Sequence, residues 1–97
     1  MAHGAYKTPG GKLVQVDFEV EGDALRRVAV TGDFFLYPEE ALTAITASLE
    51  GASASATHEE LVARITRAIP PGAEWLGSSP EALAHAVQRA LGSDDNG

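Results

Sequence analysis

Thr31-Gly32-Asp33-Phe34-Phe35-Leu36-Tyr37-Pro38-Glu39-Glu40 is the stretch on which the fold turns. Before it, apolar residues recur at every second position; after it, they recur at helical spacing. On the strand side, Val14, Val16, Phe18 and Val20 alternate with Gln15, Asp17, Glu19 and Glu21. That pattern predicts a strand over residues 12–21 with one buried and one wet face. Glu21-Gly22-Asp23 is a turn, and residues 24–31 return as a second strand with Val28 and Val30 facing inward. Tyr6 falls on a possible third strand ahead of the Thr8-Pro9-Gly10-Gly11 turn. Residues 1–5 carry little pattern and are expected to become ordered only by pairing with something else.

On the helix side, Pro38 suits a first helical position, and Glu39 and Glu40 complement the positive end of the helix dipole. Leu42, Ile45 and Leu49 then form an apolar stripe that stops at Gly51. Alternating alanine and serine over residues 52–56 read as a loop. Thr57-His58-Glu59-Glu60 is a capping box, followed by Leu61, Val62, Ile65 and Ile69 and ended by Pro70-Pro71. Ser79-Pro80-Glu81 caps a third helix with Leu83, Val87 and Leu91 on one face, and Gly92 ends it. Strands first and helices after predict an α+β domain, a small N-terminal antiparallel sheet of two or three strands with about three helices on one face. Residues 1–92 are expected to form this single domain, and residues 93–97 a flexible tail.

The quoted stretch is also unusual for a connection. Such segments are normally short, polar and solvated, yet this one holds Phe34, Phe35, Leu36 and Tyr37. Adjacent phenylalanines in extended backbone point to opposite faces, so one enters the core and the other must be covered elsewhere. An apolar side chain that its own domain cannot cover points to a partner surface.

Composition narrows the function. A chain of 97 residues holds one core. The formal charge of −7 argues against a general nucleic-acid binder, although Lys7, Lys12 and the Arg26-Arg27 pair leave room for a local basic patch. The absence of cysteine removes disulfides, thiolate nucleophiles and thiolate-bound metal or iron–sulfur clusters. No apolar run reaches membrane-helix length and the N-terminus lacks a signal peptide's apolar core, so a soluble cytoplasmic protein is expected.

Gly10-Gly11-Lys12 invites a phosphate-loop reading and fails it. Tyr6 stands where the first glycine should be, and Leu13 follows the lysine in place of serine or threonine. Two readings stay open there: a plain hairpin turn, or a turn whose amides and lysine meet an anionic group in a neighbouring protein. His3, His58 and His85 are too dispersed in sequence to suggest a metal site, with His85 expected on an exposed helix face. Asp33 lacks an acid–base partner nearby, and its carboxylate is expected to accept backbone N–H groups in the turn. Trp75 reads as a lid on the core.

Taken together, Lys7-Thr8-Pro9-Gly10-Gly11-Lys12-Leu13-Val14, the acidic hairpin, and Thr31-Gly32-Asp33-Phe34-Phe35 followed by Pro38-Glu39-Glu40 resemble the C-terminal accessory domain of lipoate protein ligase. In some archaea and bacteria that domain is a separate small protein working with a catalytic subunit. The resemblance covers roughly residues 5–69, with the glycine–aspartate–phenylalanine–phenylalanine block its most specific part. It implies a non-catalytic subunit that forms a heterodimer with the ligase and is needed for activation of lipoate to lipoyl-adenylate. ATP, magnesium and lipoate would bind the catalytic partner and none of them this chain alone. The lipoyl group would then pass to a lysine of a lipoyl domain or H protein. Gly10, Gly11 and Lys12 would lie near the adenylate, and Asp33, Phe34 and Phe35 would form the partner interface, with Asp33 holding the turn. The alternatives are an interaction module for an unrelated partner and an enzyme built around Asp33 and a histidine.

Overall fold

The computed structural model describes residues 1–92; the expected C-terminal tail, residues 93–97, lies outside the described residues. Three strands, β1 (Ala2–Lys7), β2 (Leu13–Glu21) and β3 (Ala24–Gly32), form an antiparallel meander in the order β1-β2-β3. The first residues therefore find their partner within the chain, with Ala2 opposite Phe18 and Lys7 opposite Leu13. Two residues, Gly22 and Asp23, close the β2–β3 hairpin, and Gly22 supplies the positive φ of 63° that such a turn needs.

The alternation in β2 is translated directly into packing. Val14, Val16 and Phe18 are fully buried, whereas Gln15, Asp17 and Glu19 lie on the other, partly wet face. Val20 departs from the expected pattern and is 44% exposed. Its cross-strand neighbour Leu25 is covered, because the loop after α1 (Glu40–Leu49) pairs with β3 through Leu25 N–H to the Ala52 carbonyl and Gly51 N–H to the Leu25 carbonyl. That loop covers β3 and leaves the end of β2 open.

A bulge interrupts the β2–β3 ladder between Asp17 and Glu19. Opposite it, Arg27 adopts a φ of 59°, a left-handed conformation that costs a side-chain-bearing residue about 1–2 kcal/mol. The carboxylate of Glu50 accepts the N–H groups of Arg27 and Val28 at 3.1 and 2.7 Å, satisfying the amides that the bulge releases.

The helices cover one face of the sheet. Helix α1 lies along β3, α3 (Pro80–Ala90) crosses β1 and β2, and α2 (His58–Ala68) packs between the two helices. Helix α2 starts with the expected reciprocal capping box: Thr57 Oγ1 accepts from Glu60 N–H at 3.1 Å, and the Glu60 carboxylate accepts from Thr57 N–H at 2.9 Å. Ser79 caps α3, with Pro80 in its first turn. Ile45, Leu49, Leu61, Ile65, Leu83 and Val87 close an entirely apolar core over Val14, Val16, Phe18 and Leu25. Burial of each of these side chains contributes about 1.5–3 kcal/mol relative to exposure.

Where α3 crosses β1, the contact is set by Gly4. A Cβ there would fall inside the envelope of the Ala86 carbonyl oxygen, 2.6 Å from the Ala90 nitrogen. Alanines at 82, 84 and 86 complete the close approach on the helix side.

Two further expectations are corrected. Pro38 does not open α1: its carbonyl accepts the Ala41 N–H in a turn ahead of the helix, which begins at Glu40 with Glu39 in the capping position and no side-chain cap. The quoted stretch is also more than a connection. Phe35–Tyr37 forms a short strand, β4, paired antiparallel with β5 (Glu74–Leu76) as a second, two-stranded sheet. The fold is α+β as expected, with this ribbon in addition.

Candidate functional site

Three loops meet at the end of the sheet where β2 begins. The first is the Thr8–Lys12 turn of the β1–β2 hairpin, closed by Thr8 N–H to the Lys12 carbonyl and Gly11 N–H to the Thr8 carbonyl, both 2.8 Å. The second is the Asp33-Phe34 link between β3 and β4. The third is Gly77-Ser78-Ser79 between β5 and α3, where the sequence showed the helix cap at Ser79 and nothing that pointed to a site. Gly77 brings them together: a Cβ at this position would stand 3.2 Å from the Asp33 carbonyl oxygen, 3.4 Å from Phe34 Cα and 3.5 Å from Lys12 Cγ. Its φ of +89° suits a residue without a side chain.

Lys12 is exposed and lies along the divide between two shallow grooves. One, of about 500 Å³, is lined by Tyr6, Thr8, Gly10, Ser78 and His85 as well as Lys12. The other, of about 460 Å³, is lined by Lys12, Asp33, Phe34, Phe35 and Leu76. Gly10 and Gly11 are exposed at the tip of the turn, with Gly11 at φ +85° and open space around both. The structure thus brings Gly10, Gly11 and Lys12 to the same end as Asp33, Phe34 and Phe35.

Asp33 does not hold the turn with its side chain. Its carboxylate is exposed and accepts no hydrogen bond from the described residues; its backbone N–H bonds the Leu13 carbonyl at 2.8 Å. That backbone bond requires a close approach at Gly32, where a Cβ would collide with the Leu13 carbonyl oxygen and sit 2.9 Å from Val14 Cα.

The two phenylalanines diverge as adjacent extended residues must. Phe34 turns inward, half-buried, and meets Trp75 edge-to-face with centroids 5.9 Å apart and an interplanar angle of 68°. Trp75 is likewise half-buried against the core, and Leu36 stands opposite it in the ribbon. Phe35 turns outward and is 55% exposed; Tyr37 on the same strand is 61% exposed, and Leu76, directly opposite Phe35, is 60% exposed. The ribbon therefore has an inner row, Leu36 and Trp75, seated on the domain, and an outer row, Phe35, Tyr37 and Leu76, left uncovered by the described residues.

A second cluster was invisible in the sequence. His85 is half-buried between two rings instead of lying on an open helix face: it stacks on Tyr6 at 4.7 Å and meets His58 at 4.4 Å. Arg89 covers the other part of Tyr6, its guanidinium 5.0 Å from the ring centroid. Residues from β1, α2 and α3 thus converge, and the long sequence separation of His58 and His85 concealed it. His3 lies apart on the sheet's outer face, its Nδ1 2.8 Å from Asp17 Oδ1. Among the described residues no three histidine, aspartate or glutamate side chains come together as a metal site. Nor is any described helix long and apolar enough to cross a membrane.

Fold and site together define an α+β domain with an exposed apolar row beside a glycine–lysine turn. No protein-family model matches the sequence, and no curated protein matches it. Among solved structures, the fold is similar to a chain in the bipartite lipoate protein ligase system, described with its E2 lipoyl domain, of the archaeon Thermoplasma acidophilum. The superposition covers 90% of this chain and 94% of that one, with a TM-score of 0.68 and 22% sequence identity. The likeness thus covers more of the chain than the residues on which the sequence resemblance rests.

Proposed function

We propose that this chain is the accessory, non-catalytic subunit of a bipartite lipoate protein ligase. The observation that carries the reading is the outer row of Phe35, Tyr37 and Leu76 beside Lys12, on a fold like that of a chain in a two-part ligase system. In this reading ATP, magnesium and lipoate bind the catalytic subunit, a cytoplasmic partner. Lipoate's carboxylate attacks the α-phosphate of ATP and pyrophosphate leaves; the amine of a lysine of a lipoyl domain or H protein later attacks the acyl carbon of the lipoyl-adenylate, forming the amide and releasing AMP.

This chain would contribute a surface and a charge. Asp33, Phe34 and Phe35 form the edge that meets the partner, with Phe34 acting from inside by supporting the ribbon. Gly10 and Gly11 keep the turn free of side chains, so the partner's ligand region can approach the backbone. The Lys12 ammonium, which has no ion-pair partner among the described residues, would offset negative charge growing on the phosphate during adenylation.

The test mixes the chain with the catalytic subunit from the same genome and follows lipoate-dependent ATP–pyrophosphate exchange. Exchange is expected from the pair and not from either protein alone. Full activity of the catalytic protein by itself would overturn the subunit reading. Lys12→Ala is expected to slow exchange by the pair about tenfold or more. Unchanged exchange would remove the lysine from the chemistry and leave the subunit reading standing. The outer row would equally suit an interaction module for an unrelated partner, and failure of the two proteins to associate would favour it.

A further inference from the structure

The outer row of the β4–β5 ribbon has a chemical surround that specifies what covers it. We infer that Phe35, Tyr37 and Leu76 insert into an apolar groove of the catalytic subunit whose rim carries lysine or arginine. This rests on the subunit reading above and adds the face and the character of its counterpart.

The ribbon is built to present these side chains. Its ladder fixes Phe35 opposite Leu76 and Tyr37 opposite Glu74, so the exposed residues share one side. Behind them, Leu36, Trp75 and Phe34 anchor the ribbon to the core. The outer side chains are therefore held in place before any partner arrives, which lowers the ordering cost of association. Clustered aromatic and leucine side chains of this kind suit the centre of an interface, where a few residues dominate the binding energy.

The flank is acidic. Beyond Tyr37 the surface continues into a groove of about 850 Å³ whose lining includes Pro38, Glu39, Glu40 and Thr43. Glu39, Glu40 and Glu74 are all exposed, and none is engaged in an ion pair among the described residues. This charge decides between occupants. A second copy docking by two-fold symmetry would gather six of these carboxylates against two Lys12 ammonium groups in one interface, and that surplus of like charge is repulsive. A partner with a basic rim gains steering attraction and places its own cations against carboxylates.

The experiment measures binding of the full chain to the catalytic subunit by calorimetry and stopped-flow, over a range of salt. Phe35→Ser/Leu76→Ser is expected to weaken binding at least a hundredfold with an unchanged circular-dichroism spectrum, since both side chains lie outside the core. Glu39→Lys/Glu40→Lys/Glu74→Lys is expected to slow association about tenfold or more and to abolish its decline with salt. Val20→Ser, which removes an exposed valine at the far end of the sheet, should leave binding unchanged. Binding by the folded Phe35→Ser/Leu76→Ser chain within threefold of wild type would overturn the inference while leaving the subunit reading intact. Wild-type chain that fails to bind would overturn both. A wild-type homodimer that the same double variant dissolves would assign the row to a second copy and overturn the inference.

Discussion

Replacing Gly4 by alanine tests the packing of the whole domain, because a single hydrogen atom separates β1 from α3 at that point. The added Cβ would overlap the Ala86 carbonyl oxygen and lie 2.6 Å from the Ala90 nitrogen and 2.9 Å from the Ala90 Cβ, where ordinary contact begins near 3.4 Å. Two of these atoms are backbone and the third is the stub of an alanine, so no side chain can rotate away. Relief requires strand and helix to part by roughly an ångström. That movement would loosen Ala82, Ala86 and Val87 against the sheet, all of which are now buried. Overpacking of this kind costs about 1–3 kcal/mol, and the upper half of that range applies where backbone must move. For a domain of this size a loss of about 2–3 kcal/mol lowers the melting temperature by roughly 10–20 °C. Thermal and urea melts followed by circular dichroism measure it, with Gly10→Ala as the control. Gly10 has nothing within 4 Å of its would-be Cβ, and its substitution should fall within about 0.5 kcal/mol of wild type. A Gly4→Ala protein that melts within 3 °C of the Gly10→Ala protein, taking about 4–8 °C per kcal/mol as the scale, would refute the idea that glycine sets this crossing.

Two further predictions concern the bulge. Glu50→Ala removes the acceptor of the Arg27 and Val28 amides and is expected to cost about 1–3 kcal/mol in urea unfolding; a loss below about 0.3 kcal/mol would mean water replaces the carboxylate without penalty. Arg27→Gly relieves a left-handed conformation and sacrifices only an exposed 3.5 Å contact with Glu19, so stability should rise by about 0.5–1 kcal/mol. A loss of more than about 1 kcal/mol would show that the arginine side chain contributes packing that its exposure hides.

Much of the fold was legible wherever the information is local. The period-two run from Leu13 to Glu21 fixes which side chains enter the core, because alternation follows from the pleat alone. The Thr57 capping box and the Ser79-Pro80 start are equally local, since each cap satisfies amides within three residues. The divergence of Phe34 and Phe35 was likewise implied by adjacency. Its sense was not, because the choice depends on Trp75, some forty positions along the chain.

What escaped the sequence is what long-range pairing creates. Strands of three residues show no readable period, so β4 and β5 became recognisable only once paired. Val20 was expected inside and lies outside because the loop after α1 covers β3 and stops short of it. His85 was expected outside and lies against His58 and Tyr6, contributed by two other elements.

By itself the sequence determined the order of the three main strands and the three helices, the α+β class, the buried residues of β2 up to Phe18, and the candidate residues at the glycine–lysine turn and the paired phenylalanines. Each follows from interactions within a few residues. Only the tertiary structure decided that these two candidates share one end of the molecule, that Gly77 joins them, and that Phe35 stands with Tyr37 and Leu76 in one exposed row. The reason is physical: a side chain's face is a local property, whereas its neighbours are chosen by how distant segments bury their apolar sides together.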